Sequence, residues 1–122
     1  MKKALAIGFM GFLVTSQAQF DVYLEERAVK LLEESQIVEA VGLWEHLVEW
    51  CENDMSRSHY SRQLIDALTR ADRREEALKW SEELVLSDKA VESDLWVHAR
   101  LLRSLGQGER IDALIQSKSN GL

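Results

Sequence analysis

The amino-acid sequence predicts an all-α protein built from stacked antiparallel helical hairpins. Proline is absent from all 122 residues, and only four of the six glycines lie beyond position 18, so that little in the chain interrupts a helix. Apolar residues recur every three or four positions, which is the spacing of one helix face rather than the alternation of a strand. Six apolar stripes with short polar links predict six helices, paired into three hairpins.

Residues 1–18 have the three parts of a secretory signal peptide. Lys2 and Lys3 give a positive start, residues 4–14 are uncharged and apolar, and Ser16 and Ala18 are small residues before a cleavage point. This apolar run is shorter than the roughly 20 residues that cross a bilayer. The alternative is a buried N-terminal helix. We expect cleavage after Ala18, export to the bacterial periplasm or medium, and a helical domain over residues 19–122.

The six apolar stripes follow one another along this domain. They cover residues 23–32, 38–51, 64–68, 77–85, 95–105 and 111–115. Polar residues that favour helix starts precede most of them, and a glycine follows the fifth. The expected start residues are Asp21 for the first helix, Ser58 or Ser56 for the third, Asp72 for the fourth and Ser93 for the fifth, with Gly106 as the end of the fifth.

The segment LTRADRREEALKW (residues 68–80) is one copy of a spacing that the chain repeats. The shared pattern is a leucine nine residues before a second apolar residue: Leu31 and Ala40, Leu68 and Ala77, Leu102 and Ile111. Successive copies are 37 and then 34 residues apart. Alanines suit the close crossing of two helices, and the expected crossing residues are Ala28, Ala40, Ala77 and Ala99. Trp44 and Trp80 are expected to fill the space towards the following hairpin.

This pattern resembles the tetratricopeptide repeat (TPR), a helix–turn–helix unit of about 34 residues. The resemblance covers roughly residues 21–118, and REEALKWSEELV (residues 74–85) is its best local match. It implies an α-solenoid of about three units, whose first helices line a concave groove for a peptide or protein. The alternative is a plain bundle of three to six helices.

Catalytic and metal-binding patterns are missing from the sequence. His46, His59 and His98 are far apart, no HExxH spacing occurs, and no glycine-rich phosphate loop is present. We therefore expect no enzyme activity, no cofactor and no metal site. Cys51 is the only cysteine, which excludes an intramolecular disulfide. It is expected to be a buried apolar side chain, and a bond between two molecules is the alternative.

Charge is distributed unevenly along the chain. The net charge is −6, and residues 21–54 hold ten acidic but only two basic residues, whereas acidic and basic residues balance over 55–122. An acidic chain with no uniform basic patch does not fit nucleic-acid binding.

The TPR resemblance also indicates where a partner would bind. It implies that the first helix of each unit lines the concave face, and guanidinium groups on such a face hold carboxylates well. The expected partner-binding residues are Arg62, Arg70, Trp96, Arg100 and Arg103, for a peptide with acidic or aromatic side chains. Alternatively these arginines form a solvated surface. The acidic first hairpin around Glu25, Glu26 and Glu33 is the next candidate.

Three functions remain open from the sequence. The first is an exported adaptor that binds a peptide or protein partner in its groove. The second is a structural subunit that assembles with itself or within a larger envelope complex. The third is an accessory protein with a redox role through Cys51.

Overall fold

The computed structural model describes the backbone of residues 10–120 and the side chains of residues 19–118. This part of the chain forms six helices and no strand, which confirms the all-α class. Each helix packs against the next one along the chain, giving stacked antiparallel hairpins. The helices are α1 (Met10–Glu33), α2 (Ile37–Trp50), α3 (Asp54–Arg70), α4 (Arg74–Leu86), α5 (Glu92–Ser104) and α6 (Glu109–Asn120).

The three hairpins share one turn geometry. Ser35, Asp72 and Gly106 each follow a first helix with a positive φ, of 64°, 60° and 74°. In each turn the backbone N–H groups of this residue and of the next one donate hydrogen bonds to carbonyls in the last turn of the helix. In the second turn, for example, Asp72 donates to Thr69 and Arg73 donates to Leu68. This is the Schellman motif, which satisfies carbonyls left free at a helix end. The turns are 37 and 34 residues apart, as the sequence spacing predicts.

The core runs through the first five helices. Ala28, Ala40 and Ala77 are fully buried, as expected for residues where helices cross closely, whereas Ala99 is only half-buried. Trp44 of α2 is fully buried, and its ring centroid lies 6.3 Å from that of Tyr60 in the following hairpin. Trp44 therefore fills the predicted space between hairpins.

The second predicted tryptophan packs within its own hairpin. Trp80 of α4 is half-buried and lies under the guanidinium of Arg57 in α3, 5.7 Å from ring centroid to Cζ. Trp80 also packs against the buried core, while its expected packing against the following hairpin stays a prediction.

Several predicted helix starts were wrong. Asp21 lies inside α1, which begins at Met10. Asn53, rather than Ser58 or Ser56, caps α3: its side chain accepts a 2.8 Å hydrogen bond from the Ser56 backbone N–H. Ser93 is the second residue of α5, and Asp72 ends α3 rather than starting α4. Which of several neighbouring polar residues caps a helix depends on the backbone conformation at the end of the preceding turn. The local sequence does not determine that conformation.

The two ends of the domain are more helical than predicted. Helix α6 continues to Asn120, five residues beyond the end of the apolar stripe 111–115 that predicted it. Helix α1 runs through the expected cleavage point after Ala18. Residues 1–9 of the predicted signal peptide lie outside the described part of the chain, so cleavage stays a prediction. No helix among the described residues is long and apolar enough to cross a membrane.

Candidate functional site

The strongest candidate site is an apolar groove between α5 and α6. The backbones of α5 and α6 come close to each other at few points. The other pairs of consecutive helices pack much more closely. The opening has a volume of about 650 Å³. Its lining consists of one face of α5 and one of α6: Glu92, Leu95, Trp96, Ala99, Arg100 and Arg103, then Ile111, Leu114, Ile115 and Lys118.

Three of the five predicted partner-binding residues line this groove. Trp96 exposes 65% of its surface, a large fraction for a tryptophan, and Arg100 and Arg103 are also exposed. Positions 96, 100 and 103 share a face because they are separated by four and three residues. The predicted site is therefore assembled in part, on a single helix.

Arg62 has a different place in the structure. Its guanidinium binds both carboxylate oxygens of Asp94, at 2.9 and 3.0 Å, and donates a 2.9 Å hydrogen bond to the Lys89 carbonyl. The Asp94 side chain is only 5% exposed. Asp94 also accepts a 2.9 Å hydrogen bond from the Val91 backbone N–H. Arg62 thus links α3 to the start of α5, and it does not line the groove.

Arg70 also lies apart from the groove lining. Its Nε lies 3.0 Å from Asp66 Oδ2, one turn earlier on α3, and both side chains are about half-exposed. An exposed pair of this kind contributes at most about 1 kcal/mol and is screened by salt. Arg70 therefore belongs to a solvated surface, the alternative that the sequence left open for the arginines.

The groove carries more positive than negative charge at its rim. Arg100, Arg103 and Lys118 stand against the single carboxylate of Glu92. The floor between them is apolar and comes from both helices. An apolar floor with a basic rim suits an amphipathic segment that has carboxylates beside its apolar side chains.

Helix α6 contributes the part of the site that sequence reasoning missed. Ile111, Leu114 and Ile115 were recognised as a short apolar stripe, but they were expected to close the third hairpin. None of the α6 side chains described, residues 109–118, is fully buried. The sequence signal was the loss of apolar residues after Ile115, which leaves the stripe too short to seal the hairpin.

Outside the groove, the histidines and the cysteine described by the structure have separate local surroundings. Buried His98 shares a 2.9 Å hydrogen bond with Ser81, and burial lowers the pKa of its imidazole. Cys51 is half-buried at the end of α2, and its thiol donates to the Val48 carbonyl at 3.1 Å. Within the described residues, no three His, Cys, Asp or Glu side chains are grouped to hold a metal ion.

The acidic first hairpin is partly engaged inside the fold. Glu25 of α1 lies 2.9 Å from the His59 ring nitrogen of α3, while Glu26 and Glu33 are exposed.

Comparisons with protein-family models, with curated proteins and with solved structures gave no match.

Proposed function

We propose that this chain is an exported, TPR-like protein-interaction module that binds an amphipathic, acidic segment of a protein partner in the α5–α6 groove. The observation that carries the proposal is the groove itself, with exposed Trp96 above an apolar floor and a basic rim. Tryptophan and arginine are the residues that most often dominate binding energy at protein interfaces. A helix or extended peptide with apolar side chains at helix spacing would fit this surface.

The role is one of binding rather than catalysis. The sequence has no HExxH spacing and no glycine-rich phosphate loop. The hydrogen bond between Ser81 and His98 lies buried in the fold, away from the groove. Export is part of the same proposal and rests on the order of charged, apolar and small residues in positions 1–18. The intact mass of the protein recovered from the periplasm tests it: loss of residues 1–18 is expected, and a retained Met1 in the cytoplasm would contradict export.

Binding can be tested before a natural partner is known. We would titrate ¹⁵N-labelled protein with a designed amphipathic helical peptide that carries leucine on one face and glutamate beside it. Backbone shifts should concentrate at Trp96, Arg100 and Ile115. A peptide with lysine in place of glutamate should bind at least tenfold more weakly because it meets the basic rim.

Two variants distinguish specific binding in the groove from nonspecific binding to exposed apolar side chains. Trp96→Ala should weaken binding of the acidic peptide at least tenfold. Leu86→Ala removes an apolar side chain that is 70% exposed elsewhere, on α4, and should leave binding unchanged. Equal binding by wild type and Trp96→Ala, or shifts spread over other helices, would place the site elsewhere.

A further inference from the structure

The repeated turn geometry defines equivalent positions in the three hairpins. Residues 37 apart between the first and second hairpins, or 34 apart between the second and third, occupy the same place relative to the turn. Glu25, Arg62 and Trp96 are such a set. Glu25 binds His59 on the next first helix, α3, and Arg62 binds Asp94 on the next first helix, α5. Trp96 has no following first helix within the described residues, and it is 65% exposed.

The opposite end of the stack shows the complementary situation. Tyr23 of α1 is equivalent to Tyr60 of α3, which packs on Trp44 of the preceding hairpin and is 9% exposed. Tyr23 is 57% exposed, and neighbouring Val22, the equivalent of His59, is 54% exposed. Helix α1 therefore presents apolar side chains at the positions by which α3 contacts the hairpin before it.

We propose that two copies of this chain associate head to tail, with α1 of one copy packing on the α5–α6 end of the other as the next first helix of the stack. This inference rests on the proposed function, since it names a second copy as a partner for the same groove. The equivalences bring Trp96 of one copy against Val22 and Tyr23 of the other. Apolar surface that is exposed at both ends is then buried.

Charge complementarity favours the same arrangement. One turn beyond the contact of Trp96 with Val22, the parallel helices bring Arg100 of one copy to Glu26 of the other. The acidic excess of residues 21–54 then faces the basic rim of Arg100, Arg103 and Lys118. Opposite potentials on the two ends steer them together and disfavour contact between two like ends.

The contact joins two different surfaces, the α1 end of one copy and the α5–α6 end of another. After each addition, one free α1 end and one free α5–α6 end remain. Such a head-to-tail contact extends into a chain of copies unless its rotation closes a ring. The expected observation is a mass that increases continuously with protein concentration, rather than a single dimer. High salt should shift the distribution towards single copies, because Arg100 and Arg103 of the rim are solvent-exposed.

Sedimentation and light scattering of the protein as recovered from the periplasm, over a wide concentration range, test the contact. Tyr23→Ala and Trp96→Ala should each weaken self-association at least tenfold. Val38→Ala on α2 and Leu86→Ala on α4 remove side chains that are 72% and 70% exposed, outside the proposed contact, and should have no effect. A wild-type chain that stays a single copy, or association that these four variants alter equally, overturns the proposal.

A charge exchange identifies the pair of surfaces directly. Glu26→Arg and Arg100→Glu should each abolish self-association, because each puts like charges in contact. An equimolar mixture of the two variants should associate again, since every contact between unlike copies then joins Arg to Glu. Failure of the mixture to associate, when wild type does so, overturns the arrangement. Binding of the acidic peptide by a chain that stays single would reject self-assembly while retaining the proposed function; loss of peptide binding would reject the latter.

Discussion

At the scale of single residues, the arginines of α3 show that the position of a charged residue does not predict its role unless its ion-pair partner is known. Arg62 and Arg70 are eight residues apart, and their spacing predicts one shared binding face. In the structure Arg62 binds Asp94, which is 32 residues further along the chain, and Arg70 binds Asp66, one turn away. The second pair follows from i,i+4 spacing. The first does not, because it depends on how the second and third hairpins stack.

These two ion pairs should differ in their contribution to stability. Arg62→Ala leaves the nearly buried Asp94 carboxylate without its bidentate partner, and we expect a loss of about 2 kcal/mol in the free energy of unfolding. Arg70→Ala breaks an exposed pair and should cost less than about 0.5 kcal/mol. Urea denaturation of both variants is the measurement. Equal losses would mean that the Arg62 contact does not hold α3 against α5.

His98 should make stability depend on pH. Burial lowers the pKa of His98 from its ordinary 6.5; Arg110 adds to the shift and Glu82 opposes it. The unfolded chain then binds the proton more readily, so the free energy of unfolding should fall as pH decreases below 6.5. His98→Gln keeps a side chain that can bond to Ser81 but cannot titrate. Melting temperatures from pH 7.5 to 5 should fall less steeply in that variant; parallel curves would assign the pH dependence to other groups.

At the scale of helices and turns, the sequence predicted the hairpins well because their signals are local. The leucine spacing identified all three turns, although Gly106 is the only glycine with positive φ within residues 10–120. In the other two turns Ser35 and Asp72 adopt the left-handed conformation in place of a glycine. Asp tolerates this conformation better than most residues do. Helix lengths at the two ends were predicted less well, since neither α1 nor α6 has an apolar stripe as long as the helix itself.

Glycine variants should separate turn geometry from packing. Neither Gly42 nor Gly106 has any atom within 4 Å of an added Cβ, so that alanine fits at both positions. Gly42 lies inside α2, where alanine should stabilise the protein by about 0.5–1 kcal/mol. Gly106 has a φ of 74°, where alanine should destabilise it by about 1 kcal/mol. Thermal unfolding would show shifts of opposite sign; a Gly106→Ala variant that melts at or above the wild-type temperature would mean that the third turn does not need a glycine at its left-handed position.

At the scale of the whole molecule, the hairpins differ in how much apolar surface they bury between their two helices. Most of the core lies on α1 to α4, with a smaller share from α5, whereas no α6 side chain among residues 109–118 is buried. In a stack of repeats each unit is stabilised mainly by its neighbours, so an end unit with little apolar contact opens first. The same openness that creates the groove should therefore make α6 the least stable helix. The short apolar stripe that stops at Ile115 indicated a weakly packed α6 in the sequence, but the groove itself depends on how far α6 stands from α5, which the stripe does not determine.

Hydrogen exchange of backbone amides would measure this gradient. In dilute solution, where single copies dominate, amides of α6 should be protected at least about tenfold less than those of α3, since they open locally without unfolding the core. The Arg110–Glu82 ion pair is half-exposed and should not remove this difference. The head-to-tail contact proposed above predicts that α6 gains protection at high protein concentration in wild type, with α1 of a second copy over the groove, and that it does not in Trp96→Ala. Protection of α6 equal to that of α3 in dilute solution would mean that the third hairpin is closed and that the groove does not exist in solution.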